Sequence, residues 1–159
     1  GDDFITGDGA GLEQLVQAAE KYNMPVVGVM EVPADRIDRY GMVKGDEIAD
    51  GIFRISEMVE KPAVGTTDAK LAIVGRYVLP SDIFDYLDTS EPGHGGELQL
   101  TDSLAALAKD RGMLAVRMKG IRFDAGDWVD YLCANIFFGL QDESLRAALR
   151  EKLQRLALI

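Results

Sequence analysis

The sequence predicts an α/β domain with a mixed sheet. Three observations carry that prediction. Valine-rich, strand-like runs lie at residues 25–32 and 71–79, segments with helical apolar spacing alternate with them, and glycine or proline marks most junctions. A hairpin expected between Tyr40 and Val59 makes the sheet mixed rather than purely parallel. At 159 residues the chain can bury one good core or two small lobes, and 47% hydrophobic content is ordinary for a globular domain.

Taken in order, Gly1-Asp2-Asp3-Phe4-Ile5 reads as the tail of a strand. Gly7 to Gly11 forms a turn with Asp8 near a helix start, and Leu12, Leu15, Val16 and Ala19 share one face of that helix. These glycines lack the spacing of a phosphate-cradling loop, and Asp8 would repel a phosphate. Residues 25–32 are a buried strand, 35–39 a polar connection, 40–43 a second short strand, and 44–51 a charged hairpin tip. From Ile52 the chain alternates, with Phe53, Ile55 and Val59 expected on one face and Arg54, Ser56 and Met58 on the other. Pro62 ends that run, because proline lacks an N–H and cannot continue a ladder.

The segment 71–79 is the most strand-like in the chain, and Gly75 inside it signals a bulge or a close approach to the backbone. Ser81 is expected to cap a short helix through Leu87. His94 lies in a glycine-rich loop and has no ligand-spaced neighbours. Thr101 or Asp102 is expected to cap a helix carrying Leu104, Leu107 and Ala108, which Gly112 stops. A strand at 113–118 follows, and Ile121-Arg122-Phe123 leads into Asp124-Ala125-Gly126-Asp127. Residues 128–140 are apolar enough for a buried helix. Leu145, Leu149, Leu153 and Leu156 then form one helical stripe that can cover the core or pair with another subunit.

The net charge of −10 argues against nucleic acid or an anionic membrane as the main partner, since both require a basic surface. A phosphorylated ligand would need local cations, supplied by a metal ion with Lys or Arg. Cys133 is the single cysteine, which excludes a disulfide within the chain and makes a reducing, cytoplasmic setting the default. No apolar run is long enough to span a bilayer as a helix.

Two places concentrate chemistry. Glu60 and Lys61 set a carboxylate beside an ammonium where a strand breaks off, and the strand ends of an open α/β sheet tend to line a ligand crevice. A carboxylate accepts from sugar hydroxyls, and an ammonium meets a phosphate as a point charge. The plainer reading is a surface pair before a turn. Asp2-Asp3 and Asp124-x-Gly126-Asp127 are acidic strand ends suited to magnesium, which takes one or two carboxylates and fills its other positions with phosphate and water. Asp124 can equally cap the turn or helix that follows it, and for Asp2 the capping role is the plainer reading.

Val59-Glu60-Lys61-Pro62, Leu71-Ala72-Ile73-Val74-Gly75-Arg76-Tyr77-Val78-Leu79, Glu97-Leu98-Gln99-Leu100-Thr101-Asp102 and Phe123-Asp124-Ala125-Gly126 occur in this order, with Tyr40-Gly41 upstream. Together they make the chain resemble the C-terminal half of bacterial UTP–glucose-1-phosphate uridylyltransferases. The resemblance implies a Rossmann-like nucleotidyltransferase fold, here lacking its N-terminal nucleotide-binding part. It implies the conversion of UTP and glucose 1-phosphate to UDP-glucose and pyrophosphate with Mg²⁺. By motif, Glu60 would bind glucose hydroxyls, and Lys61 would bind the sugar phosphate and serve catalysis. Gly41, Val74 and Gly75 would lie against the sugar, and Asp124 and Asp2 would hold the metal. Glu97, Gln99 and Asp102 belong to a motif near the sugar site.

The family's glycine-rich G-x-G-T-R loop has no counterpart in these residues, so the chain is expected to be part of an enzyme and inactive alone. Residues 1–140 are expected to form the sugar-phosphate and metal half, which would need the missing N-terminal half as partner. Residues 141–159 are expected to form a helix for packing or homo-oligomerisation. A sister enzyme using another nucleotide such as dTTP, or a non-catalytic sugar-phosphate-binding or assembly module, are the alternatives.

Overall fold

A computed structural model describes residues 3–7, 9, 11–89 and 96–157. Asp2, Asp8 and His94 therefore lie outside the described residues. The chain divides into two compact units, one made of Gly1–Thr6 with Ile121–Ile159 and the other of Gly7–Gly120. Among the described residues no helix is long and apolar enough to cross a membrane.

In the larger unit the strands are β2 (Val26–Glu31), β3 (Gly41–Ala49), β4 (Ile52–Glu60), β5 (Leu71–Val78) and β6 (Leu114–Arg117). The helices are α1 (Leu12–Tyr22), α2 (Ile83–Asp88) and α3 (Leu100–Arg111), with a 3₁₀ turn at Ile37–Arg39. The sheet is mixed, as expected: β2 runs parallel to β6 and antiparallel to β5, while β3 pairs antiparallel with β4. It is not open, however. β3 meets β5 through Met42 and Val43, and β4 meets β6 through Ile52–Arg54, so the five strands close in the order β2-β5-β3-β4-β6.

Three apolar clusters hold this unit together. Leu104 and Leu107 of α3 pack with Val27, Val29, Ile55, Leu71 and Ile73, Leu15 and Ala18 of α1 pack with Val26 and Leu114, and Ile37 packs with Met42 and Ala72. Ile37 is buried, so the connection that reads as polar contributes an anchor to the core.

Several local expectations change. β3 runs nine residues, and only Asp50-Gly51 remains as the hairpin tip, with Gly51 at φ +68°. Lys44 pairs with Glu57 but Gly45 with Ile55, so β4 carries one extra residue at Ser56. That bulge reverses the face of everything after it. Met58 joins Phe53 and Ile55 in the α3-facing cluster, and Val59 turns to the cluster around Met42. Ser81 does not cap α2, whose N-cap position is Asp82. Neither Thr101 nor Asp102 caps α3, because the helix already begins at Leu100 and its N-cap position is Gln99.

In the smaller unit β1 (Asp3–Thr6) pairs antiparallel with β7 (Ile121–Asp124), followed by α4 (Trp128–Gln141) and α5 (Glu143–Arg155). Phe4 and Phe123 oppose each other on one face of this ribbon and meet Phe137 and Phe138 of α4. The Asp127 carboxylate accepts from Val129 N–H and Asp130 N–H and so caps α4. The expectation of a buried helix at 128–140 fails. Only Ala134 is buried and Trp128 is 79% exposed, because two short strands and α5 cover just one side of α4. Of the leucine stripe, Leu153 is buried and Leu149 reaches α4 at Gly139, while Leu145 and Leu156 are exposed.

Candidate functional site

Glu60 ends β4, and the Ser56 bulge decides where it points. Without the extra residue Glu60 would share Val59's present face; with it, Glu60 shares the face of Met58 and Ile55. On that face the Thr101 hydroxyl donates to Glu60 Oε2 at 2.6 Å. The Glu60 side chain is only 12% exposed, and its other oxygen, Oε1, faces Lys61 Nζ at 3.6 Å. A carboxylate this sheltered needs partners, and the structure supplies a neutral donor on one oxygen and an ammonium near the other.

Gly41 sits directly opposite Glu60 in the β3–β4 ladder. A Cβ there would come within 2.8 Å of Thr101 Oγ1, 2.9 Å of Glu60 Oε2 and 3.0 Å of Ile73 Cδ1. The absence of a side chain at Gly41 is thus what leaves room for the Thr101–Glu60 bond. Tyr77 borders the same carboxylate: burial raises its phenol above the ordinary value, and the Glu60 charge raises it further.

Lys61 leaves the strand in the left-handed region, at φ +42°, while its N–H donates to Tyr40 O at 3.0 Å. That conformation is uncommon for a residue with a Cβ and turns the ammonium back toward Glu60. Glu60, Lys61 and Gly41 are therefore brought together. On β5 three residues, Val74 to Arg76, stand opposite the single Gly28, and Gly75 takes φ +67° at the centre of this bulge. The Val74 side chain is buried near Gly28, which leaves only its backbone able to meet a ligand. Gly75 is exposed, with open space where a Cβ would stand.

Thr101 and Tyr77 are the residues sequence reasoning missed. Thr101 was expected to serve its own helix. The available signal was Leu100, which extends the helix one residue earlier and places Thr101 inside it.

The second set of candidates lies in the smaller unit. Asp3 stands directly opposite Asp124 in the β1–β7 register. Like charges so placed repel, and Arg122, two residues before Asp124 and on the same face, answers both. Its Nη2 lies 2.6 Å from Asp3 Oδ1 and 3.5 Å from Asp124 Oδ2. Asp124 Oδ1 accepts from Gly126 N–H at 2.9 Å, and Asp124 N–H donates to Asp130 Oδ2 at 3.1 Å.

Asp124 is thus engaged in its turn without being consumed by it, since a carboxylate offers about four lone-pair sites. Its hard oxygens at a partly exposed strand end suit a divalent cation of the magnesium type, and the guanidinium beside it shows that positive charge is already accommodated there. Among the described residues no group of three His, Cys, Asp or Glu could enclose a metal by itself. A cation held at Asp124 would therefore need water or oxygens from a bound ligand at its remaining positions.

A mixed α/β sheet that gathers a carboxylate, an ammonium and bare backbone close together defines an α/β protein with a polar site at the margin of its sheet. The chain belongs to the nucleotidyl transferase family, which it matches over residues 1–139. It is 45% identical over 133 residues to a UTP–glucose-1-phosphate uridylyltransferase of Pseudomonas aeruginosa, covering 84% of this chain and 47% of that protein. It is 39% identical over 158 residues to UTP–glucose-1-phosphate uridylyltransferase 2 of Staphylococcus saprophyticus, covering 99% of this chain and 55% of that protein.

Among solved structures, UDP-glucose pyrophosphorylase complexed with UDP-glucose superposes with a TM-score of 0.83 at 33% identity, over 89% of this chain and 54% of that one. The UTP-bound enzyme from Acinetobacter baumannii gives 0.84 at 30% identity, over 98% and 54%. The chain spans about half the length of the relatives it matches. Nucleotidyl transferases generally work with a divalent metal.

Proposed function

We propose that this chain supplies the sugar-phosphate and metal side of an enzyme that makes UDP-glucose and pyrophosphate from UTP and glucose 1-phosphate. The observation that carries the reading is the Glu60–Lys61 pair. One carboxylate oxygen is engaged by Thr101, while the other stands beside the Lys61 ammonium at the end of a strand. In this reading Glu60 Oε1 accepts from glucose hydroxyls and Lys61 Nζ holds the sugar phosphate. Backbone at Val74 and Gly75 borders the ring, and Gly41 keeps the floor beneath Glu60 free of a side chain.

A phosphate oxygen of glucose 1-phosphate attacks the α-phosphorus of UTP. The bond from that phosphorus to the oxygen bridging to the β-phosphate breaks, and pyrophosphate leaves with the electron pair. No covalent enzyme intermediate is required. Lys61 orients the attacking phosphate and offsets its charge. Asp124, with Asp2, would hold Mg²⁺, which neutralises phosphate charge when bound. Two further elements belong to the reading: a cytoplasmic setting, consistent with the lone Cys133, and self-association through α4 and α5, whose Trp128, Val129 and Leu132 are exposed.

The test is an assay of the full-length protein with UTP, dTTP, CTP or GTP, each with glucose 1-phosphate and Mg²⁺. UDP-glucose formation with UTP preferred is expected, together with a loss of glucose 1-phosphate affinity in Glu60→Ala. Turnover confined to another nucleotide, or unaltered sugar-phosphate binding in Glu60→Ala, would overturn the reading.

A further inference from the structure

We infer that Arg122 is a built-in counter-ion that holds the acidic strand pair together in the cation-free protein and competes with the divalent cation for Asp124. This rests on the reading of Asp124 as a cation ligand.

The argument begins with the ladder. Alternation along β7 puts Arg122 and Asp124 on one face, and the antiparallel register puts Asp3 on that face opposite Asp124. The other face is taken up by Phe4 and Phe123. Two carboxylates facing each other across a ladder repel, and both are substantially shielded from water, with side-chain exposures of 13% for Asp3 and 29% for Asp124. Arg122, itself 19% exposed, bridges them asymmetrically, closer to Asp3 at 2.6 Å than to Asp124 at 3.5 Å.

The asymmetry assigns the roles. Asp3 is the residue Arg122 keeps. Asp124 is the one it can release, because that contact is long and Asp124 retains the Gly126 N–H on its other oxygen. A divalent cation arriving at Asp124 takes over the charge balance that the guanidinium provides in its absence. Arg122 is therefore a positioning residue, and its presence weakens cation binding while stabilising the empty pair.

Mn²⁺ alone is the probe, added to the full-length protein without nucleotide or sugar. Free Mn²⁺ is read by electron paramagnetic resonance and Tm by calorimetry. Arg122→Gln should lower the Tm of the cation-free protein. It should also bind Mn²⁺ more tightly than wild type, on the order of five- to tenfold for a partly screened charge contact. The Mn²⁺-induced rise in Tm should be larger in the variant than in wild type. Arg122→Lys, which keeps the charge on a different reach, should fall between the two. It also keeps the test open if the glutamine variant does not fold.

Asp124→Asn separates the two layers of the argument. If it abolishes Mn²⁺ binding while Arg122→Gln and Arg122→Lys bind as wild type or more weakly, the counter-ion role is wrong and the ligand assignment survives. If Asp124→Asn binds Mn²⁺ like wild type, both are wrong.

Discussion

Thr101 donates its hydroxyl to Glu60 Oε2 across 2.6 Å, linking the second residue of a helix to the last residue of a strand 41 positions earlier. The bond fixes the carboxylate plane and leaves Oε1 as the oxygen available to a ligand. Thr101→Val keeps the shape and removes the donor. A hydrogen bond to a charged group contributes roughly 1.5–3 kcal/mol, so glucose 1-phosphate affinity of the full-length protein should fall by about one to two decades. Thr101→Ser should retain most of it. Calorimetric titration of both variants checks the claim, and equal affinities for valine and serine would remove Thr101 from the site.

Gly41→Ala tests the floor of the same cluster. Its Cβ would enter the space shared by Thr101 Oγ1 and Glu60 Oε2, so one of them must move. Overpacking of this kind costs roughly 1–3 kcal/mol. Gly45→Ala is the control, since its Cβ would clash with the Arg54 backbone carbonyl and meets neither Glu60 nor Thr101. Both variants should lower Tm. Only Gly41→Ala should also weaken sugar-phosphate binding in the fraction that remains folded.

Lys61 combines a charge with a left-handed backbone, and two substitutions separate them. Lys61→Ala removes the ammonium but keeps a Cβ at φ +42°. Lys61→Gly removes both, and glycine tolerates that region, where other residues are disfavoured by roughly 1–2 kcal/mol. The glycine variant should therefore be the more stable of the two in urea. Both should lose glucose 1-phosphate affinity to the same extent, and recovery of binding in Lys61→Gly alone would show that the charge is irrelevant.

Tyr77 gives a pH signature. Burial first, and the Glu60 charge second, raise its phenol above the ordinary value, so the folded state holds that proton more tightly than the unfolded chain does. Its contribution to stability is fully present below about pH 10, the unfolded value, and is lost as pH rises through the higher folded value. Tyr77→Phe should flatten the fall in unfolding free energy above about pH 10. An unchanged slope would place the titrating groups elsewhere.

The alternation from Ile52 to Glu60 shows how far pattern carries. The strand, its end at Glu60 and the pairing partner in β3 are legible in the residues, because hydrophobic periodicity and Pro62 report on local backbone. The bulge at Ser56 is not, since the extra residue is defined only by the register against Lys44 and Gly45. One unread residue put Val59 on the wrong face and hid why Glu60 meets Thr101. The same limit applied at Thr101, where a favourable capping residue found a stronger partner across the fold. At α4 the composition is uniformly apolar, and apolar residues alone do not say how many sides of a helix will be covered. Asp124 and Arg122 are both visible in the sequence. Their relation to Asp3 needed the β1–β7 register.

The β3–β4 hairpin is fastened at both ends, to β5 at Met42–Val43 and to β6 at Ile52–Arg54. A hairpin tethered at its base alone can swing as a flap, and a ligand must then wait for the productive pose. Here neither end can lift without breaking ladder pairs, so Glu60 and Gly41 hold their arrangement before anything arrives. A ligand meeting the Glu60–Gly41 pair would then find it already arranged. Little ordering entropy remains to be lost at the moment of encounter.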